Sequence, residues 1–264
     1  MSHQVVFMIL AFRNQVTAVT DQSSENAEDT KGDVMGNHTN NETNGFVFQD
    51  RSEAGYLLAN RLKAYTNLRD VEVLALPRGG VPIGAEIARA LNAPLFPFIV
   101  RKLGVPGHKE LAMGAITNSG RPLVNRTVTR KLGLSDRFVD TVIRRETKRL
   151  LRAQNLYCAG RPMPLLEGKI VILADDGAST GSSLSLAVQA VQELGAAYVI
   201  VALPVAPPYA VSQLNKIANE VLCLMQPRKL VTVSRWYHEF PMPTDREICQ
   251  MLDGAGIQMP RKSA

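Results

Sequence analysis

The fold class can be predicted from KIVILADDGASTGSS, residues 169–183, because this segment combines an aliphatic run, a short polar turn and the start of a helix. A run of Val, Ile, Leu and Ala without alternation is typical of a parallel strand that is buried on both faces. Asp175 and Asp176 follow the run directly. In open parallel sheets, ligands bind beyond the carboxyl ends of the strands. The stretch therefore predicts an α/β protein with a binding site in this turn.

The turn suits a phosphorylated sugar. Small residues let backbone N–H groups approach a ligand, and a helix N-terminus favours a phosphate. The two acids repel phosphate but suit vicinal sugar hydroxyls or Mg²⁺. A tight strand-to-helix turn with ordinary caps is the alternative. The candidate binding residues are Asp175, Asp176, Gly177, Ala178, Ser179, Thr180, Gly181, Ser182 and Ser183, and the candidate metal ligands are Asp175 and Asp176.

Apolar runs alternate with helical patterns along the rest of the chain, which predicts a parallel sheet. Strands are expected at 71–76, 95–100, 169–174, 197–203 and 221–225, and a hairpin should pair 113–117 with 122–125. Helices are expected after Asp50 or Ser52, over 83–91, from Ser135 to about 155, and over 182–194 and 209–218. The first strand ends at a second candidate loop, Pro77-Arg78-Gly79-Gly80.

Residues 169–183 resemble the motif with which type I phosphoribosyltransferases bind phosphoribosyl diphosphate (PRPP). LALPRGGVPIG, residues 74–84, is similar to the pyrophosphate loop of that family. Four more stretches (100–107, 110–116, 204–208 and 236–237) resemble an uncharacterised branch of predicted phosphoribosyltransferases. The resemblance runs from about residue 46 to about residue 252. It implies a parallel-sheet, Rossmann-like core with helices on both faces and a small variable hood.

The resemblance also implies roles for individual residues. Asp175 and Asp176 would hold the ribose hydroxyls of PRPP, directly or through Mg²⁺, and residues 177–183 would cradle the 5′-phosphate. Arg78, Gly79 and Gly80 would hold the pyrophosphate. Residues 101–110 are similar to the mobile loop that closes over PRPP. In that loop, Lys102 and Lys109 would contact anions, and His108 or Glu110 would transfer a proton.

One departure from the family pattern leaves the function open. Ser179 stands where the 6-oxopurine enzymes have an aspartate base, and serine is a poor base without an activator. The leading expectation is a phosphoribosyltransferase that moves ribose 5-phosphate from Mg-PRPP to a nitrogenous base or another acceptor and releases pyrophosphate. The alternative is a regulator that senses PRPP or a nucleotide without catalysis. A phosphorylase or hydrolase of another phosphosugar is a third possibility.

Composition separates the two ends of the chain. Residues 1–45 carry a net charge of −4 and few apolar side chains after residue 20, so we expect a disordered, acidic extension. With +6 for the whole chain, residues 46–264 carry +10 and form the predicted phosphoribosyltransferase domain. No apolar run is long enough to cross a membrane, and the first residues fit a signal peptide poorly. We therefore expect a cytoplasmic protein without a membrane partner, and a possible homodimer.

Two surface features allow more than one interpretation. The helix after Ser135 is rich in arginine, but it lacks the interleaved aromatic residues that stack on bases, so a nucleic-acid partner is not favoured. Trp236, Tyr237 and Phe240 could stack on an acceptor base or could fix the end of the chain to the core.

Overall fold

The computed structural model describes residues 46–105 and 108–254, and for residues 108–111 it describes the backbone alone. The expected extension, residues 1–45, lies outside the described residues and stays a prediction. The strands are β1 (Val71–Ala75), β2 (Leu95–Pro97), β3 (Val100–Val105), β4 (His108–Thr117), β5 (Pro122–Val124), β6 (Ile170–Ala174), β7 (Tyr198–Val205) and β8 (Glu220–Met225). The helices are α1 (Arg51–Arg61), α2 (Gly80–Leu91), α3 (Arg126–Lys131), α4 (Asp136–Tyr157), α5 (Ser182–Glu193), α6 (Pro208–Asn215) and α7 (Asp245–Gly254).

The main sheet has the strand order β2-β1-β6-β7-β8, and every neighbouring pair is parallel. All residues of β1 and β6 are buried, so both faces of these strands are covered. On one face, Gly84 of α2 lies so close to Ala75 that an added Cβ would be 2.8 Å from the Cβ of that alanine. The predicted α/β fold with a parallel sheet and flanking helices is confirmed.

Glu72 is an acidic side chain within this otherwise apolar sheet. It lies in β1 opposite Val171 of β6 and is buried. Burial raises the pKa of Glu72 to about 7, against the smaller opposing effect of Lys169. A carboxyl group in this position costs stability once it ionises.

A second sheet, which is antiparallel, corrects two expectations. The run 95–100 is not one strand, because β2 joins the parallel sheet whereas β3 begins the order β3-β4-β5. We also expected a loop after that strand, and this prediction is wrong in part, since Arg101 and Lys102 lie within β3. Within this segment, Gly104 marks an irregularity in the pairing of β3 with β4. The predicted pairing of 113–117 with 122–125 is confirmed.

The side chain of Asn118 explains why the run divides. Its Oδ1 accepts a hydrogen bond from the amide of Ile99 at 2.6 Å, and its Nδ2 donates to the carbonyl of Pro97 at 2.8 Å. These bonds satisfy the backbone where the chain leaves one sheet for the other. A buried backbone group without such a partner would cost free energy.

Helices α1 and α4 begin directly after capping residues that the sequence predicted. The side chain of Asp50 caps α1, and that of Ser135 caps α4. Val139, Val142 and Leu150 of α4 are buried, whereas Leu151 is exposed. No helix among the described residues combines the length and the apolar character that crossing a membrane requires.

A buried acid attaches α4 to the second sheet. Glu146 pairs with Arg101 of β3 and with Arg145 and Arg149 of its own helix, at N···O distances of 3.0 to 3.2 Å. Part of the arginine excess of this helix therefore neutralises an internal carboxylate.

Candidate active site

Two loops meet at the point where the strand order reverses. From β1 the chain crosses to β2 on one side of the sheet, and β6 lies on the other side of β1. The strands β1 and β6 end at the same level, because Ala75 pairs with Ala174. The loops that follow them are 76–79 and 175–181. A crevice at such a reversal is where ligands bind in open α/β sheets.

The two loops are in direct contact. A Cβ atom built at Gly79 would lie 2.1 Å from Oδ2 of Asp176, and one built at Gly80 would lie 2.5 Å from the carbonyl oxygen of Ala174. Only glycine fits at either position while the neighbouring loop stays where it is. Both glycines are buried, and the Pro77–Arg78 peptide before them is cis.

The predicted phosphate cradle forms the turn between β6 and α5. Gly177 and Gly181 have φ angles of 146° and 71°, which disfavour residues with a Cβ. Gly181 is the N-cap of α5, so the free N–H groups at the start of the helix follow it. The hydroxyl of Thr180 lies 3.2 Å from that of Ser182. The turn thus brings small residues, hydroxyls and a helix N-terminus together as the sequence predicted.

Asp176 is held from two sides. Nε of Arg51 donates to its Oδ2 at 2.8 Å, and Nη2 of Arg51 lies 2.8 Å from the same oxygen. The hydroxyl of Tyr237 donates to the backbone carbonyl of Asp176 at 2.7 Å. This acid therefore has a fixed position and a paired charge.

Asp175 has a different electrostatic environment. Its Oδ1 accepts a hydrogen bond from the amide of Asp176 at 2.9 Å. Desolvation, and then the charge of Asp176, raise the pKa of Asp175 well above its usual range. Two adjacent carboxylates with one paired cation favour a proton on one of them until another cation or a set of hydrogen-bond donors arrives.

An aromatic cluster lies beside the acids. Phe48, Tyr237 and Phe240 stack in sequence, with ring centroids 5.4 and 4.8 Å apart. The backbone of Phe48 bonds to that of Trp236 and His238 on either side of Tyr237. Tyr237 is buried. Tyr237 and Phe240 therefore fix the segment after β8 to the core, which is one of the two interpretations that the sequence left open.

Arg78, the predicted pyrophosphate ligand, lies close to the start of α7. Its Nη1 is 3.5 Å from the carbonyl of Pro243 and 4.0 Å from Oδ1 of Asp245. The same Oδ1 accepts a hydrogen bond from Tyr157 at 2.6 Å. Burial, together with Asp245, raises the pKa of Tyr157 to about 12. The guanidinium of Arg78 is partly exposed, so it can exchange these weak contacts for an anion.

The remaining predicted residues are on β3 and β4. Lys102 lies opposite Ala115 in the antiparallel sheet, and this sheet packs against α4 and α5. Lys109 and Glu110 belong to the first part of β4, and their side chains lie outside the described residues. The antiparallel sheet thus carries these three residues, whereas the acids follow a strand of the parallel sheet.

The family assignment follows from comparison with known proteins. A family model for the phosphoribosyl transferase domain matches residues 52–233. The chain belongs to the phosphoribosyltransferase family. Over 209 residues it is 39% identical to the Mycobacterium tuberculosis proteins named "Putative phosphoribosyl transferase Rv0571c" (strain H37Rv) and "Putative phosphoribosyl transferase MT0597" (strain CDC 1551), and the alignments cover 79% of this chain and 47% of each relative.

The chain thus spans about half the length of the curated relatives that it matches. A solved structure shows the same fold. The protein TT1426 from Thermus thermophilus superposes with a TM-score of 0.71 at 36% identity, covering 78% of this phosphoribosyltransferase chain and 97% of TT1426.

The acids fit Mg²⁺ only as part of a complex with a ligand. Among the described residues there is no group of three or more potential metal-binding side chains, and Asp175 and Asp176 are a pair. Mg²⁺ commonly binds through one or two carboxylates, with water and substrate oxygens completing the octahedron. The donor set of this phosphoribosyltransferase matches that pattern rather than an all-protein metal cage.

Sequence reasoning missed three participants in the site. Arg51 lies between two candidate capping residues and belongs to no motif, and its only mark is its place three and seven positions before Ala54 and Leu58, on the buried side of α1. Val233 lies over Gly177, so that a Cβ there would be 2.7 Å from a methyl group of the valine. Asp245 approaches Arg78 from α7. No local pattern marks the last two, because both come from segments distant in sequence.

Proposed function

We propose that this phosphoribosyltransferase binds PRPP with Mg²⁺, transfers ribose 5-phosphate to a nitrogenous base or another acceptor, and releases pyrophosphate. The observation that carries the proposal is the contact between Gly79 and Asp176. It brings the loop that resembles a pyrophosphate site against the loop that resembles a ribose phosphate site. A ligand with phosphates on both sides of a sugar matches such a pair of loops.

The protein residues chiefly position the reactants. The start of α5 and residues 177–183 bind the 5′-phosphate, and Asp175 and Asp176 accept hydrogen bonds from the ribose hydroxyls. The acceptor nitrogen attacks C1′, and the bond from C1′ to the pyrophosphate oxygen breaks. Arg78 and the backbone N–H of Gly79 stabilise the charge that develops on the departing pyrophosphate, whereas the N–H of Gly80 donates to the carbonyl of Leu76 at 2.9 Å and Gly80 lets the loop pack against Ala174. Holding both reactants in line supplies much of the rate.

Asp175 or Asp176 would hold Mg²⁺ together with ligand oxygens, and the ion would neutralise part of the pyrophosphate charge. Lys102 and Lys109 add further cationic contacts from β3 and β4. Glu110 transfers the acceptor proton when the acceptor requires it.

Calorimetric titration with PRPP and Mg²⁺ tests the binding step. Asp176→Asn should lower PRPP affinity by about 10- to 100-fold, since a hydrogen bond to a charged group contributes about 1.5–3 kcal/mol. Asp253→Asn, at an exposed acid of α7 paired with Arg161, is the matched control and should bind as the wild type does. No PRPP binding by the wild type would exclude the proposal. A screen of nitrogenous bases that follows pyrophosphate release then tests catalysis.

A regulator that binds PRPP or a nucleotide without turnover is the second candidate. The observation behind it is Ser179, which is exposed and whose carbonyl accepts a hydrogen bond from Tyr209 at 2.5 Å. A serine there provides no base beside the bound sugar. PRPP binding without pyrophosphate release on any acceptor would favour this function over the first.

The boundaries and setting of the activity belong to the same proposal. We place the activity in residues 46–264, within the cytoplasm, in a monomer or a homodimer. Removal of residues 1–45 should leave PRPP affinity unchanged. Analytical ultracentrifugation of the full chain and of the truncated chain would give the oligomeric state of each.

A further inference from the structure

The guanidinium of Arg51 is enclosed by the site and by the segment after β8. Only 5% of the residue is exposed. Two of its nitrogens lie 2.8 Å from Oδ2 of Asp176, and Nη1 donates to the carbonyl of Pro241 at 2.7 Å. Its Cζ lies 3.6 Å from the centre of the Phe240 ring. The partners of this cation are thus Asp176 and residues 240–241, and Nη2, although it lies 2.8 Å from Oδ2 of Asp176, makes no hydrogen bond.

Such enclosure costs free energy unless partners compensate for the lost hydration of the cation. A buried guanidinium loses its hydration, and the loss is offset only by an anion and well-placed acceptors. Asp176 supplies the anion, and the planar group stacks on an aromatic face as arginine favours. The partners come from distant parts of the chain, 125 and 190 residues away. The contact is thus a bridge between the ribose-binding acid and the end of the domain.

The bridge determines which carboxylate oxygen can meet a ligand. Both contacts from Arg51 are to Oδ2, so the carboxylate cannot rotate without losing them. Oδ1 is the oxygen that the guanidinium does not engage. Tyr237, in the same segment as Phe240, holds the backbone of Asp176. Tyr237 therefore holds the backbone of this acid directly, whereas residues 240–241 act on its side chain only through Arg51.

We propose that Arg51 is a positioning residue that orients Asp176 for the ribose hydroxyls and couples that orientation to residues 237–241. The ligand part of this inference rests on the proposed function. Its consequence is that PRPP affinity and the order of the 237–241 segment change together. A residue that only stabilised the fold would change neither in a protein that remains folded.

The first measurement compares PRPP affinity among variants that keep native circular dichroism. Arg51→Met should weaken PRPP binding by about 10- to 100-fold, which is the usual effect of removing a group that orients a ligand-binding side chain. Arg51→Lys keeps the charge but not the planar fork, so it should recover part of the loss. Arg149→Met, which removes an exposed arginine from a different buried acid, is the matched control and should bind normally.

A double-mutant cycle separates positioning from general damage. In an Asp176→Asn background, Arg51→Met should weaken PRPP binding by less than about 3-fold, because both variants remove the same interaction. Phe240→Leu removes the ring beneath the guanidinium and leaves the ion pair, so it should weaken binding by about 2- to 5-fold. Should Arg51→Met fail to fold, Arg51→Lys and Phe240→Leu provide the same comparison.

Hydrogen exchange in the full chain without PRPP tests the coupling independently of the proposed function. Arg51→Met and Arg51→Lys should increase amide exchange in residues 237–243, and Arg149→Met should not. PRPP affinity and exchange that both match the wild type in the folded Arg51 variants would overturn the inference. A wild type that fails to bind PRPP would overturn the proposed function instead, while faster exchange in the variants would still support the bridge.

Discussion

Replacing Gly79 with alanine tests the contact between the two site loops without changing any charge. The backbone at Gly79 has φ −61° and ψ −33°, a helical conformation that alanine adopts readily. Without a neighbour, the change would stabilise the protein by about 0.4–1 kcal/mol through the unfolded chain. In the folded protein the new methyl group would lie 2.1 Å from Oδ2 of Asp176 and 2.5 Å from its Cγ. One of the two groups has to move by about 1 Å or more, given that carbon and oxygen atoms pack at about 3.5 Å.

The magnitude follows from what resists that movement. Shifting the carboxylate breaks its pair with Arg51, and loss of one buried partner costs about 3–5 kcal/mol. Shifting the backbone instead costs about 1–3 kcal/mol, which is typical of overpacking. The less costly movement prevails, so after the gain from the unfolded state is subtracted, Gly79→Ala should lower the free energy of unfolding by about 1–2 kcal/mol. It should also weaken PRPP binding at least 10-fold, because the loop that carries Arg78 then shifts relative to Asp176.

Urea unfolding measures the first effect. A loss of about 1.5 kcal/mol moves the midpoint by about 0.5–1.5 M, at the slope of about 1–3 kcal/mol/M that is usual for urea. Gly254→Ala is the control, since a Cβ there would meet nothing within 4 Å. In an Asp176→Ala background the cost of Gly79→Ala should fall below about 1 kcal/mol. An unchanged midpoint in the wild-type background, or the same cost in both backgrounds, would refute the argument.

Three further changes have defined outcomes. Glu72→Gln should stabilise the protein by up to about 3 kcal/mol at pH 8 but little near pH 4.5. In the folded state Glu72 keeps its proton up to about pH 7, whereas in the unfolded state it releases the proton near pH 4.5, so the stability of the wild type falls between these pH values. The same pH dependence of the free energy of unfolding in both proteins, measured with urea, would contradict this. Asn118→Ala should cost about 2–4 kcal/mol in urea, since it leaves two buried backbone groups unpaired, whereas a cost below about 1 kcal/mol would show that water replaces the amide. Tyr237→Phe should cost about 1 kcal/mol and about 2- to 5-fold in PRPP affinity by calorimetry, through its bond to Asp176; no change in affinity would separate that bond from the site.

Local sequence determines the parts of the fold that could be predicted. The aliphatic runs of β1 and β6 have no competing pattern, and their burial on both faces follows directly. The caps at Asp50 and Ser135 also act through neighbouring amides. The division between β2 and β3 could not be predicted, because residues 95–100 are uniformly apolar. The amide of Asn118, 19 and 21 residues away, ends one strand and starts the other.

The candidate site shows the same division. The turn over 175–183 could be predicted, since its small residues, hydroxyls and acids are adjacent in sequence. The setting of its acids could not, because Arg51 pairs with Asp176 across 125 residues. Arg51 also occupies a position of α1 where an apolar residue would fit the periodicity, so that position is the one sequence feature that marks it. The roles expected for Lys109 and Glu110 stay predictions, as their side chains lie outside the described residues.

The aromatic contacts of Tyr237 and Phe240 make a segment that is synthesised late necessary for completing the site. During translation, Arg51 and Asp176 leave the ribosome before residues 237–241 do, whereas domains generally fold as units. Until residues 237–241 emerge, Arg51 and Asp176 lack the contacts that this segment supplies. A chain that ends before residue 237 would therefore leave the Arg51–Asp176 ion pair without its contacts to Phe240 and Pro241, open to water on that side.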